Sequence, residues 1–405
     1  MLSSSQIFIG IGLTFGLAVA CQITATRWRL PAIILLLPVG FAAGAVTKTV
    51  NPNDILGSSF SPLVSLAVAI ILFDGGLDLG FKELEGHHQR VVRHLLGLGV
   101  PITWAGAGLF AWLLLGLSAK AAVMLGAILI VSGPTVIAPI LGLARPRRHV
   151  RSILWWEGTT IDPIGAIIGV LTFQAIQSGV SFHPGQEVLR FLANIGIGLL
   201  GGAAGTAVLW FLLRKVRLSG VLATQATLAT VVVVAASCNA FREDTGLVAA
   251  IAMGVAMANI PSMEEPEDRP FFQTMVQLVI GLLFISISAT VTPASLRGLV
   301  GPTFGLVACL VLVVRPLVTT VATAGSRLSS RERVFVGMMD PRGIIAASTA
   351  ATFAPALIQA HVGGASKLLP ATFMVIMLTV LVYGLTAVPA VRALGLTEPE
   401  KALDV

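Results

Sequence analysis

Five acidic and two basic side chains fall within apolar stretches of this 405-residue chain: Asp74, Asp78, Glu157, Asp162 and Asp340, with Arg315 and Arg342. A charge at the centre of a bilayer costs about 2.5–3.5 kcal/mol on insertion scales, so each one needs a reason to be there. The densest stretch is Trp155-Trp156-Glu157-Gly158-Thr159-Thr160-Ile161-Asp162-Pro163. Glu157 and Asp162 are five residues apart, which is about 500° of helical rotation, so their side chains point about 140° apart. They cannot form one carboxylate dyad; one can face a cavity while the other seeks a cation elsewhere. Thr159 lies on the Asp162 face, and Pro163, lacking an N–H, frees the Thr159 carbonyl. A carboxylate, a hydroxyl and a free carbonyl are hard oxygen ligands, suited to an alkali cation rather than a soft metal. Asp74 offers another carboxylate beside Gly75-Gly76. Asp78 sits near the end of its stretch and reads as interfacial. Arg315, ahead of Pro316, is expected to enter a structural ion pair or to contact a backbone carbonyl.

The elements that must position these groups are membrane helices. The chain is 56% hydrophobic and only 11% charged, against about 25% charged in ordinary soluble domains; its mean hydropathy is +0.92. So few charges cannot cover a soluble surface, which excludes a cytosolic enzyme, a nucleic-acid binder and a disordered chain. Cys21, Cys238 and Cys309 lie far apart in apolar runs and have no metal or disulfide spacing. A ruler of about 20 apolar residues predicts about thirteen spans: 6–26, 30–47, 61–80, 92–116, 119–142, 153–179, 187–213, 219–238, 246–260, 270–290, 299–323, 333–358 and 369–391. The first has no basic segment before it and no clear cleavage site after it, so it reads as a span rather than a removed leader. With the N-terminus outside, eighteen basic residues fall inside and six outside; this bias predicts an N-out, C-in topology in the cell (inner) membrane.

Two spans are interrupted. The fifth contains Ser132-Gly133-Pro134-Thr135, and the twelfth contains Met339-Asp340-Pro341-Arg342-Gly343. Proline and glycine break a helix, and irregular backbone at membrane depth is tolerated only where it is buried in protein or lines a cavity. Thirteen spans divide as six, one and six, so the breaks occupy the same place in each half, and the odd linker inverts the second half. Paired broken helices in inverted repeats point to a transport site. The expected organisation is a single transmembrane domain over residues 1–397. Repeat one covers about 6–179, a linker helix about 187–213 and repeat two about 219–391, with a short cytosolic tail at 398–405.

These residues resemble the monovalent cation:proton antiporter family, the NhaP-like sodium/proton exchanger type, along essentially the whole chain. The resemblance rests on Leu72-Phe73-Asp74-Gly75-Gly76, Ser132-Gly133-Pro134-Thr135, Glu157-Gly158 with Asp162-Pro163, Pro341-Arg342-Gly343 and Tyr383-Gly384-Leu385-Thr386. It implies an all-α polytopic fold with unwound crossing helices, a core domain and a dimerisation domain in a homodimer. It implies that Asp162 binds ion and proton, that Asp74 lines the site, and that Ser132 and Thr135 belong to the crossover. It also implies that Glu157 and Arg342 form a buried pair tying the sixth span to the twelfth. The chain departs from the family pattern at three places: Ile161 stands where Asn or a second Asp is usual, Gly133 replaces the crossover acid, and Asp340 adjoins Pro341-Arg342-Gly343. Asp340 is therefore expected to compensate for the charge missing at Gly133.

The resulting expectation is secondary antiport of protons against Na⁺ or K⁺, with no cofactor and no enzymatic activity. A carboxylate in a partly wet cavity takes either a proton or a cation, each excluding the other, which favours one-for-one exchange at Asp162. A passive cation channel and an anion or organic-solute transporter on the same fold are the alternatives; the acidic site argues against the anion carrier. No His-Glu-x-x-His motif and no Ser/His pairing suggest a membrane protease. With little chain after the last span, any regulation is expected from a separate cytosolic subunit.

Overall fold

A computed structural model describes residues 3–28, 30–47, 49–77, 79, 87–177, 184–218, 220–242, 245–260, 263 and 269–398. The described chain is helical. In order, it forms α1 (Ser4–Trp28), α2 (Ile33–Val46), α3 (Pro52–Leu56), α4 (Phe60–Leu77), α5 (His87–Gly97), α6 (Gly99–Leu115), α7 (Ala119–Ile128), α8 (Pro134–Ala144) and α9 (Arg148–Gln177). There follow α10 (Pro184–Trp210), α11 (Gly220–Phe241), α12 (Thr245–Asn259), α13 (Arg269–Ala289), α14 (Val300–Cys309), α15 (Arg315–Ala322), α16 (Ser330–Gly337), α17 (Ile344–Gln359) and α18 (Leu368–Ala393). Each of the thirteen expected spans coincides with one of these helices or with a consecutive pair or triplet. Among the described residues, 7 helices are long and apolar enough to cross a membrane, and shorter apolar helices account for the remaining spans. The fifth and twelfth spans are broken where proline and glycine predicted, into α7 and α8 and into α16 and α17. The eleventh carries a π-helical turn over Leu310–Val314, just ahead of Arg315.

The chain divides into two compact units. One comprises Met1–Gly57, Leu84–Phe173 and Phe284–Val405; the other comprises Ser58–Glu83 and Gln174–Leu283. Each draws on both halves of the sequence.

In the first unit α18 is the central helix, packed by α2, α8, α14 and α17. Ala371, Val375, Ile376 and Val380 along it are fully buried. Small residues bring backbones together, as is usual between membrane helices: a Cβ added to Gly40 of α2 would lie 2.7 Å from the Ile285 carbonyl oxygen. At one end of this unit Ser329 and Glu332 form a capping box that starts α16. Glu332 also meets His149 in the first turn of α9 at 2.8 Å and Arg147 at 3.7 Å. The Arg145–Arg147 turn is joined to the segment after α18 by an antiparallel bridge between Pro146 and Thr397, with Arg147 N–H donating to Leu396 O at 2.9 Å.

In the second unit α12 packs against α4, α10 and α11. Gly76 of α4 and Gly254 of α12 allow the closest approach; a Cβ on Gly76 would lie 2.8 Å from Ile251 O. Phe73 and Phe272 meet edge to face at 5.8 Å. Asn239 of α11 donates to Ser65 of α4 and accepts from the Gly246 N–H of α12, fastening three helices through one side chain.

Candidate cation and proton site

The two helix breaks meet inside the first unit. After α7 the chain turns and runs extended through Gly133, whose φ and ψ are −100° and 156°, and Pro134 then starts α8. After α16 it runs irregularly to Gly343, also extended, and α17 begins. Ile130, Val131, Ser132, Met339, Asp340 and Arg342 are all buried. A Cβ on Gly343 would lie only 2.9 Å from the Gly133 nitrogen, so the two unwound strands cross in backbone contact.

Breaking a helix exposes carbonyls at the end of its first half and N–H groups at the start of its second. The sequence supplies an arginine for each set of carbonyls. Arg342 donates to Ile130 O, just past α7, at 3.2 Å. Arg315 donates to Val336 O, in the last turn of α16, from Nε at 3.2 Å and Nη2 at 3.0 Å. A cation on a helix C-terminus is favourable, and each arginine also holds one acid. Arg342 grips Asp340 with two bonds of 3.1 and 2.7 Å. Arg315 grips Glu157 with two more, the Nη2–Oε2 contact being 2.9 Å.

This pairing corrects the expectation of a Glu157–Arg342 tie. The residue types are right, but the partners are exchanged: Asp340, two residues away, takes Arg342, and Glu157 faces Arg315. Both readings of Arg315 hold at once, since it makes the ion pair and the backbone contact. Asp340 does not stand in for an acid at Gly133, because both its oxygens are engaged by Arg342. The acid that covers Gly133 is Asp162: a Cβ on Gly133 would sit 2.6 Å from Asp162 Oδ2. The missing side chain at the crossover thus makes room for the carboxylate of α9.

Asp162 itself is 2% exposed, and no cationic side chain lies within salt-bridge distance of it among the described residues. Among the described residues its Oδ1 has no hydrogen-bond partner, and neither does Thr159 Oγ1 one turn earlier. Ser132 is buried, and its carbonyl oxygen would be 3.6 Å from a Cβ on Gly158, so the crossover lies against α9 between Gly158 and Asp162. Helix α9 stays helical through Pro163. Thr135 is in the first turn of α8; its side chain is outside the described residues. Asp74 is half-buried on α4 and belongs to the second unit. Asp78 lies outside the described residues.

Ile161 turns away from this site. It is buried against Val100 and Ile130, with Trp104, Ile164 and Ile168 around them. One residue of offset, about 100° on a helix, moves the position from ligand to apolar packing. The Arg342 cap on the Ile130 carbonyl escaped sequence reading because a carbonyl exposed by a break has no sequence signal of its own; Arg315, placed in an apolar span, was expected on a carbonyl or in an ion pair.

Known proteins match this arrangement over almost the full length. The family model for the transmembrane sodium/hydrogen exchanger matches residues 13–393. The chain belongs to the sodium/hydrogen exchanger family. It is therefore a transporter rather than an enzyme, an integral membrane protein that exchanges a cation for protons. Similar proteins include the K⁺/H⁺ antiporter NhaP2 of Shewanella baltica, 26% identical over 99% of this chain and 69% of that one. A probable Na⁺/H⁺ antiporter of Methanocaldococcus jannaschii is 22% identical over 91% of this chain and 93% of that one. The solved structure of the sodium proton antiporter MjNhaP1 from the same organism has a TM-score of 0.80 at 17% identity, covering 96% of this exchanger and 99% of that chain. The expected fold class is thus the one found.

Proposed function

We propose that this exchanger swaps one proton for one Na⁺ or K⁺ per cycle by competition at Asp162. The observation that carries this reading is a charge balance. The buried cluster around the crossing holds three acids, Glu157, Asp162 and Asp340, and two arginines, Arg315 and Arg342. Two acids are neutralised by direct pairing, which leaves one carboxylate. A buried unpaired charge is costly, so Asp162 needs either a proton or a monovalent cation, and either one satisfies it. Only one fits at a time, and coupling follows without a second device. The unpartnered oxygens of Asp162 and Thr159 are the first ligands offered to the cation. Ser132 and Thr135 are proposed to complete its shell in at least one state of the cycle.

Alternating access is proposed to arise by movement of the domain bearing the crossing, with the Arg315 and Arg342 pairs keeping it rigid. The inverted repeats at about 6–179 and 219–391, a homodimer, an N-out, C-in orientation in the cell membrane and regulation from a separate cytosolic subunit belong to the same reading. No resident cofactor is required. The names of similar proteins mention both K⁺ and Na⁺, and the two oxygens seen so far suit either.

The test is proton flux in proteoliposomes, with Na⁺, K⁺ and Li⁺ added separately under clamped voltage. The unaltered protein should exchange at least one cation with no net current. Asp162→Asn should abolish exchange while remaining folded in the membrane. Normal exchange by that variant removes Asp162 from the site; conductance without counter-transport would make the protein a channel.

A further inference from the structure

Glu157 and Asp162 divide α9 into two faces, and the Asp162 face carries more than the ion site. Four polar atoms in the first half of this helix are buried and have no hydrogen-bond partner among the described residues: Ser152 Oγ, Trp155 Nε1, Thr159 Oγ1 and Asp162 Oδ1. At about 100° per residue these four positions fall within about 80° of arc, and at about 1.5 Å per residue they span about 15 Å. Glu157, bound to Arg315, lies on the opposite face. This row of atoms begins one turn from His149, whose side chain is 33% exposed at the foot of the helix.

Buried polar groups are nearly always satisfied by protein or ordered water, and each one left bare costs about 1–3 kcal/mol. One orphan is an ordinary exception. Four in register on one helix, ending at the exchange carboxylate, call for a common partner. Trp155 says what that partner is. An indole N–H donates and cannot accept, so it does not coordinate a cation, but it does orient a water oxygen. Ser152 and Thr159 can both donate to and accept from water.

We propose that Ser152 and Trp155 line a file of water that carries the proton between the Asp162–Thr159 site and the His149 end of α9, a stretch the cation does not enter. The inference rests on the reading of Asp162 as the exchange site. The proton moves as an excess proton along water and ends as Asp162 O–H when the cation leaves; nothing is oxidised or reduced.

The experiment compares two transport modes of one protein in proteoliposomes. Cation–proton exchange needs the file, whereas isotopic cation self-exchange, followed with radioactive sodium or with rubidium as tracer for potassium, does not. Trp155→Phe and Ser152→Ala should each slow proton-coupled exchange about threefold to tenfold and leave self-exchange within twofold of the unaltered protein. Unchanged proton-coupled exchange in both variants overturns the proposal, and so does an equal loss in both modes. Failure of the underlying reading looks different: Asp162→Asn would then still exchange. Radiolytic footprinting of the unaltered protein needs no variant. Trp155 should be oxidised by radicals from its bound water although its N–H is shielded; no oxidation at Trp155 while exposed Trp28 reacts also overturns the proposal.

Discussion

Glu157 and Asp162 share a helix, a residue class and nearly complete burial, yet their surroundings are opposite. Glu157 is held by both terminal nitrogens of Arg315, which in turn caps the carbonyl of Val336. Asp162 is held by no cation among the described residues and rests on a glycine. The broken helices show the same contrast. Their C-terminal ends are closed by arginines with matched acids, while the start of α8 is covered by the one acid that has no match. A permanent partner makes a carboxylate structural. On the proposed reading a missing partner makes it exchangeable, because a proton or a cation from solution must then complete it.

Breaking the contrast at Glu157 should have the largest effect on folding. Glu157→Ala leaves Arg315 buried and unpaired, which costs about 3–5 kcal/mol; the expected result is a steep loss of folded yield and of thermal stability in detergent. Replacing both partners together, as Glu157→Gln with Arg315→Met, removes the charge imbalance and should recover much of that loss. If Glu157→Ala is fully stable but inactive, Glu157 belongs to the ion site. The contrast predicts the opposite sign for Asp162→Asn, which removes an unmatched charge: its melting temperature should equal or exceed that of the unaltered protein while exchange is lost. A variant as unstable as Glu157→Ala would show that Asp162 has a permanent partner.

A smaller change should come from Gly133. A Cβ there would collide with Asp162 Oδ2, so Gly133→Ala must shift the carboxylate from the crossing. We expect apparent cation affinity to fall about tenfold, equivalent to about 1.4 kcal/mol, with the protein still folded. Unchanged affinity would separate the crossing from the ion site.

The smallest effect is expected at Glu332. Burial pushes its carboxyl up, but hydrogen bonds from Ser329 and His149 outweigh that and hold it below the usual carboxylate range. A depressed folded value means that its stabilisation is present above the unfolded carboxylate pKa, about 4.3, and is lost as pH falls through the folded value. Glu332→Gln should therefore lower stability slightly near neutrality and flatten the loss on the acid side. An identical acid profile would show that the α9–α16 foot contributes nothing to stability.

Much of this was legible in the residues because a bilayer leaves few choices. Backbone polar groups in hydrocarbon must be satisfied within helices, so apolar length alone yields the thirteen spans, and Pro134 and Pro341 mark the breaks. Helical rotation alone separates Glu157 from Asp162. The same arithmetic turns Ile161 away from Asp162, although its partners Val100 and Ile130 are distant in sequence.

What the residues could not decide is which buried charge meets which. Five charges on three spans allow several neutral pairings, and the Glu157–Arg342 pair that the family resemblance implies is one of them. The crossing of the two breaks selected another: it set Arg342 on the carbonyl of Ile130 beside Asp340 and left Arg315 to reach Glu157 and Val336. Hydrophobicity and helix periodicity are local properties, written in composition and spacing. The Glu157–Arg315 pair depends on a distance of a few ångströms between residues 158 apart in the chain, and that distance exists only once the helices have packed.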